Sequence, residues 1–230
     1  LPSLKNVKDY YDILFDDFAI AMFHPITTEY KDIKIYAKNF VQALIESDTN
    51  YILIYPNNDL GSKEILEEIE KLKTSDRIKI FPSLRFEYFL RFLKESQFII
   101  GNSSAGIREA PYYNVPSVDI GTRQNNRAKL DTIFNCTYEK EAILGAIKKV
   151  KEIKKLKSEY FMNKATYLYL EGKQSLEPHE KISKDRSKTK IEELEAYFLD
   201  APGIENMVDW VDWADNNCTK RDKGKVNDGK

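Results

Sequence analysis

The chain has 230 residues, with 36 Lys plus Arg against 37 Asp plus Glu and a formal net charge of -1. That length supports one good core or two modest ones, and the balanced charge excludes a protein built to coat nucleic acid, which needs a basic surplus. No apolar run approaches the ~20 residues that span a bilayer, and the two cysteines, Cys136 and Cys218, stand in neither metal nor redox spacing.

The opening residues, LPSLKNVKDYYDILFDD, carry no apolar signal core and no small-residue cleavage site. The cytoplasm follows as the default location. The lack of an initiator Met suggests a chain that starts inside a longer protein or was trimmed. From residue 18 to residue 150, strand and helix patterns alternate. Phe18–Phe23 (FAIAMF) predicts a strand, and Ile33–Glu46 a helix with Ile33, Ile35, Tyr36, Phe40, Leu44 and Ile45 apolar. Tyr51–Tyr55 is the next strand, then Lys63–Leu72 a helix, Arg77–Phe81 a strand and Phe86–Leu93 a helix, with Phe86 expected in the core. Phe98–Ile100 and Ser117–Ile120 are further strands, and Glu141–Ile153 a further helix. Short, near-continuous apolar strands suit a sheet covered on both faces. The order and short connections predict an α/β, Rossmann-like, doubly wound parallel sheet with right-handed crossovers.

Beyond about residue 156 the pattern changes. Residues 1–156 are expected to form the ligand-binding lobe, and 157–230 a mostly helical or irregular extension. Lys151–Lys157 continues a basic helix, whereas Tyr160–Leu170 is apolar without a clean period. Glu171–Lys190 is polar and reads as a linker. Ile191–Leu199 can form one amphipathic helix, and Asn206–Ala214 a short one containing Trp210 and Trp213. Thr219–Lys230 is polar and is expected to be disordered.

Five strand ends carry chemistry. After Phe98–Ile100 comes Gly101-Asn102-Ser103-Ser104-Ala105-Gly106, with a helix expected from Ser104. Amides of a helix's first turn attract anions. Gly101 and Gly106 would let a diphosphate approach the backbone, and Ser103 and Ser104 add hydroxyls. Glu109, expected one turn into that helix, is placed to accept the hydroxyls of a ribose. The alternative is that Ser103 is merely an N-cap and Glu109 merely favours the helix dipole. Open parallel sheets bind ligands at this carboxyl edge, which favours the ligand reading. Arg123 and Arg127, in the loop Gly121–Arg127 after the next strand, suit phosphate recognition. His24, in Phe23-His24-Pro25-Ile26-Thr27-Thr28-Glu29, ends the first strand and is placed to bind phosphate or move a proton. Thr27 or Thr28 with Glu29 offers a helix cap instead. Asn57 follows Tyr51–Tyr55 and can bond a ligand, while Asp59 or Ser62 is expected to cap the next helix. The backbone at Leu84, after Arg77–Phe81, can read a base edge.

FHPITTE, YPNNDLGSKE, IIGNSSAGIREA and GTRQNNR, in this order and spacing, resemble the hydrolysing UDP-N-acetylglucosamine 2-epimerases of sialic and related nonulosonic acid synthesis, across roughly residues 18–150. The resemblance implies the carboxyl-terminal lobe of a two-lobed glycosyltransferase-B-type fold with UDP in the cleft. It implies that His24 contacts the diphosphate or the reacting sugar, as the catalytic residue of this lobe. Asn57 and the Leu84 backbone would contact the nucleotide. Ser103 and Ser104, beside Gly106, would bind the diphosphate, Glu109 would hold the ribose, and Arg123 would support the phosphates. The family's reaction eliminates UDP to a glycal-type intermediate and adds water, releasing the 2-epimeric sugar, with no metal and no cofactor. Its proton-transfer carboxylates sit mainly in the other lobe, and its closing glycine-rich turn is not matched in residues 151–230. The implied partners are a UDP-sugar and either the other lobe or a homo-oligomer partner, with no nucleic acid and no membrane. A chain with this lobe alone is expected to bind UDP weakly and turn over little. Two other readings stand beside it: a non-catalytic or decayed nucleotide-sugar-binding module, and a transferase lobe of the same architecture. The sugar itself is not specified.

Overall fold

A computed structural model of the chain describes residues 1–200 apart from Lys129. The expected short helix at 206–214 and the polar terminus 219–230 therefore lie outside the described residues. Contacts divide the chain into two units, Leu1–Glu152 and Ile153–Lys230.

The first unit is built on six parallel strands: β1 (Ala19–Met22), β2 (Tyr51–Ile54), β3 (Ile78–Phe81), β4 (Ile99–Gly101), β5 (Ser117–Ile120) and β6 (Ile133–Cys136). Their order is β3-β2-β1-β4-β5-β6, so the chain reverses direction of travel between β1 and β4. The helices are α1 (Leu4–Tyr11), α2 (Ile33–Glu46), α3 (Ser62–Ile69), α4 (Phe86–Glu95), α5 (Glu109–Tyr112), α6 (Lys140–Glu171) and α7 (Pro178–Asp200).

The strand sequences explain why both faces are covered. Side chains alternate across a strand. Ala19, Ala21, Tyr51, Leu53 and Ile100 share one core with Ala37, Phe40 and Leu44 of α2, Ile65 and Ile69 of α3, and Ile143 and Ile147 of α6. Phe18, Ile20, Ile52, Ile54 and Ile99 share the other with Val7 of α1, Phe89, Phe92 and Leu93 of α4, and Ala110 of α5. Each of the Val, Leu, Ile and Phe side chains among these, fully buried, contributes roughly 1.5–3 kcal/mol, so two apolar faces per strand make a strong sheet from short segments. The doubly wound parallel sheet expected from the sequence is therefore the fold.

Several expectations change. Phe86 is 64% exposed, not core. It begins α4 on the side facing water, while Phe89, Phe92 and Leu93 are the buried residues of that helix. The amino terminus, read only for targeting signals, forms α1, whose start is capped by Ser3 Oγ accepting from the Asn6 amide at 3.2 Å. β6 was not anticipated. It is an edge strand whose four residues are all at least partly exposed, so it has no continuous apolar run.

The second unit is helical. Tyr160, Ile191 and Leu194 form its small core, with Leu156, Phe161 and Tyr167 packed on it. Residues 160–170, without a clean period, belong to α6. Residues 178–190, expected as linker, belong to α7. Among their charges, Lys190 pairs with Glu159 at 3.5 Å, and Lys184 with Glu171 at 3.9 Å. Such pairs let a polar segment be helical without a wide apolar face. Among the described residues no helix is long and apolar enough to cross a membrane.

Candidate functional site

The carboxyl ends of β1 and β4 are neighbours, with Met22 opposite Gly101. They flank the point where strand order reverses, the place where open α/β sheets form a crevice. Each strand delivers a loop there.

Asn102 joins the two central loops. Its side chain accepts from the His24 amide at 2.7 Å and donates to the His24 carbonyl at 2.8 Å. Its own amide donates to the Met22 carbonyl at 3.1 Å. The side chain thus continues the β1–β4 ladder past the end of β4, and it is fully buried. Gly101 makes the turn possible. Its φ is +133°, and a Cβ there would lie 1.8 Å from the Met22 carbonyl oxygen. The glycine answers to the neighbouring strand. Gly106 is less constrained, since a Cβ on it would meet Ser117 at 3.4 Å, an ordinary contact.

The next loop converges on the same residue. Gln124 Nε2 donates to the Asn102 carbonyl at 2.7 Å, and an Arg123 guanidinium nitrogen donates to it at 3.1 Å. Arg127 donates to Gln124 Oε1 at 3.3 Å. Burial, with the nearby charge of Arg127, lowers the Arg123 pKa, yet a guanidinium stays cationic in proteins.

From the other side, the Asn57 amide donates to His24 Nδ1 at 3.1 Å. An Nδ1 that accepts a hydrogen bond is unprotonated, so the neutral ring carries its proton on Nε2. Burial, and then the Arg123 charge, push the His24 pKa down to about 4. His24 is therefore a neutral hydrogen-bond donor near pH 7. The Asn57 side chain donates to Asp59, while its Oδ1 is buried without a partner.

The expected caps fall out differently. Gly61, not Asp59 or Ser62, caps α3, with no side-chain bond. Neither Thr27 nor Thr28 caps α2, whose N-cap is Asp32. Glu29 instead accepts from the hydroxyls of Thr122 and Tyr138. Ser103 does act as a cap, its Oγ accepting from the Ala105 amide at 3.3 Å. The continuous helix expected from Ser104 is broken, however. Ser104–Gly106 is one 3-10 turn, and α5 begins only at Glu109. Glu109 thus stands at a helix start and not one turn inside a helix.

Of the residues picked from sequence, His24, Asn57 and Arg123 are tied into one hydrogen-bonded group through Asn102. Ser103, Ser104 and Gly106 follow Asn102 directly in the chain. Leu84 and Glu109 have no hydrogen bond to this group among the described residues. Leu84 packs against the α1–α4 side of the core. Asn102 and Gln124 were given no role from sequence. The signal for Asn102 was a polar residue immediately after a strand-ending glycine at the reversal point. Behind the rim, Asp119 of β5 is 5% exposed, and burial raises its pKa to about 6.

Known proteins share this chain's sequence and fold. A family model described as UDP-N-acetylglucosamine 2-epimerase matches residues 1–180. A UDP-N-acetylglucosamine 2-epimerase of Neisseria meningitidis serogroup B is 48% identical over 163 residues, covering 71% of this chain and 43% of that protein. A hydrolysing UDP-N,N'-diacetylbacillosamine 2-epimerase of Legionella pneumophila is 30% identical over 138 residues, covering 60% of this chain and 37% of that protein. The chain thus spans less than half the length of these relatives. A crystal structure of a Methanocaldococcus jannaschii UDP-GlcNAc 2-epimerase, in complex with UDP-GlcNAc and UDP, superposes with a TM-score of 0.53 at 20% identity, covering 64% of this chain and 42% of that one. At that identity the structural likeness bears on the fold alone.

Proposed function

The chain belongs to the UDP-N-acetylglucosamine 2-epimerase family, and from that premise we propose that its carboxyl edge is the UDP-binding half of a hydrolysing 2-epimerase site. The observation that carries this reading is the convergence on Asn102, which gathers a neutral histidine, a guanidinium and the Ser103–Gly106 turn around the β1–β4 crevice.

The chemistry assigned to this edge is the departure of UDP. In the elimination, a proton leaves C2 of the sugar and the C1–oxygen bond breaks. The bond's electrons pass to the diphosphate, leaving a C1=C2 glycal. Water then adds hydroxyl to C1 and hydrogen to C2 on the opposite face, giving the free 2-epimeric sugar. Arg123 and the amides of Ser103 and Ser104, at the start of the Ser103–Gly106 turn, would stabilise negative charge as it develops on the leaving group, a preorganised electrostatic contribution. His24 would add an Nε2–H donor without the cost of burying a second cation. Ser103 and Ser104 would contact the diphosphate. Glu109 would accept from the ribose hydroxyls, and Asn57 and the Leu84 backbone would contact the nucleotide. The two carboxylates that take and return the C2 proton belong, by resemblance, to the family's other lobe. This stretch alone is therefore a binder with little turnover.

Calorimetric titration with UDP tests the reading. Binding is expected, with Arg123→Ala and Glu109→Ala each weakening it by about tenfold or more, the scale of a lost charge-assisted hydrogen bond. No binding by the unaltered chain, or variants that bind UDP as tightly as the unaltered chain, would contradict it. A coupled assay for UDP release by the chain alone should read near background; full activity would refute the division of labour between lobes.

A further inference from the structure

We propose that Glu29 and Tyr138 are positioning residues that lock the Gly121–Arg127 loop to the segment following His24, and so set the Arg123 guanidinium for an anionic ligand. The inference rests on the diphosphate reading of the rim and adds to it a device outside the ligand-facing residues.

The lock has three members from distant parts of the chain. One Glu29 carboxylate oxygen accepts from the Tyr138 hydroxyl at 2.7 Å. The other accepts from the Thr122 hydroxyl. The Tyr138 oxygen accepts in turn from the Thr122 amide at 3.3 Å. Thr122 is held by side chain and backbone at once, and its neighbour in the chain is Arg123.

Tyr138 is a rigid post. Its ring stacks on Tyr36 of α2 with centroids 3.7 Å apart and planes within 8°, and meets Phe23 edge-on at 6.4 Å. Its carbonyl accepts from Asn39 Nδ2 at 3.0 Å. The loop is shaped to this post: Gly121 has φ +77°, and a Cβ there would fall 2.0 Å from the Tyr138 ring. Burial, with Glu29 accepting the phenolic proton, raises the Tyr138 pKa to about 12, so the hydroxyl keeps its proton across the physiological range. Glu29 precedes α2 in a turn whose backbone departs from helical geometry at that residue, with φ -113° and ψ 19°. The carboxylate therefore fastens the loop after β5 to the connection between β1 and α2, five residues beyond His24. Cutting either hydroxyl link loosens Thr122, so that the Arg123 guanidinium keeps its bond to the Asn102 carbonyl but loses the backbone anchor at the preceding position.

The test uses Tyr138→Phe, which keeps the stacked ring and removes only the hydroxyl, together with Glu29→Gln. Amide hydrogen exchange over residues 121–127 is measured without ligand, and affinities for UDP and uridine are measured by NMR titration. Both variants are expected to exchange about tenfold faster in this loop and to bind UDP about fivefold to tenfold more weakly, with uridine affinity within about twofold of the unaltered chain. Unchanged exchange in both variants would overturn the lock. Faster exchange with unchanged UDP affinity, or equal losses for UDP and uridine, would overturn its role in placing the guanidinium. If the unaltered chain binds no UDP, the diphosphate reading fails and this ligand role falls with it, while the exchange data still decide whether the loop is locked.

Discussion

The rim of the sheet and the helices of the second unit are held together in opposite ways. At the rim, hydrogen bonds join residues 33, 78, 93 and 109 positions apart. Among the helices, many join residues 4 apart, and the shared core is three buried side chains. Long-range polar contacts in a buried setting are costly to break, because the partner left behind has no water to turn to. Local contacts on a helix surface can be replaced by solvent. Substitutions should therefore separate the two regions sharply.

The largest effect is expected at Gly101. Alanine there combines a positive φ with a Cβ 1.8 Å from the Met22 carbonyl oxygen, and should destabilise the first unit by about 3 kcal/mol or more in urea denaturation. Gly172, whose Cβ would meet nothing closer than 3.6 Å, should accept alanine with a change within about 1 kcal/mol. Similar losses at both glycines would erase the contrast.

Next comes Asn102→Ala, which strands the His24 amide and carbonyl and removes a fully buried amide. It should cost about 2–4 kcal/mol and release His24 from its place. NMR would report the release as a move of the imidazole pKa back toward 6.5.

The third effect is pH dependence. His24 titrates at about 4 in the fold against 6.5 as its ordinary value. Its contribution is present above pH 6.5 and is lost as pH falls toward 4, by about 2–3 kcal/mol in all. Asp119 runs the other way. Its folded value of about 6 lies above the ordinary 3.8, so its contribution is present below 3.8 and is lost as pH rises through 6. The two slopes oppose each other between pH 4 and 6. Asp119→Asn should steepen the acid loss of stability, and His24→Ala should flatten or reverse it. Identical pH profiles in the two variants would show that neither group is linked to folding in this way.

The smallest effect is expected in the second unit. Tyr160→Phe removes the hydrogen bond to Glu195 at 3.0 Å and should cost about 1 kcal/mol or less while leaving UDP affinity unchanged.

The same contrast explains what could be read from the sequence. Strands β1, β2 and β4 were legible as near-continuous apolar runs, β3 and β5 as short Ile-, Val- or aromatic-bearing segments in strand–helix alternation, and α2 because its apolar spacing is regular. β6 was not, since an edge strand needs no such run. The later part of α7 was legible as the amphipathic stretch Ile191–Leu199, but its start was hidden because charge pairs replace an apolar face. At the candidate site, His24, Ser103 and Arg123 were singled out because each follows a strand at the same edge. Asn102 was passed over, since its partners lie 78 residues away. Glu29 was read as a local cap for the same reason: nothing within its own segment reveals a partner at Tyr138.

The most direct measurement is a crystal structure of this chain with UDP. The pyrophosphate should lie within hydrogen-bond distance of the Ser103 and Ser104 amides, the Arg123 guanidinium and His24 Nε2. The ribose hydroxyls should reach Glu109. UDP seated elsewhere, or a pyrophosphate that meets only one of these loops, would contradict the claim that the loops after β1, β4 and β5 grip one ligand together.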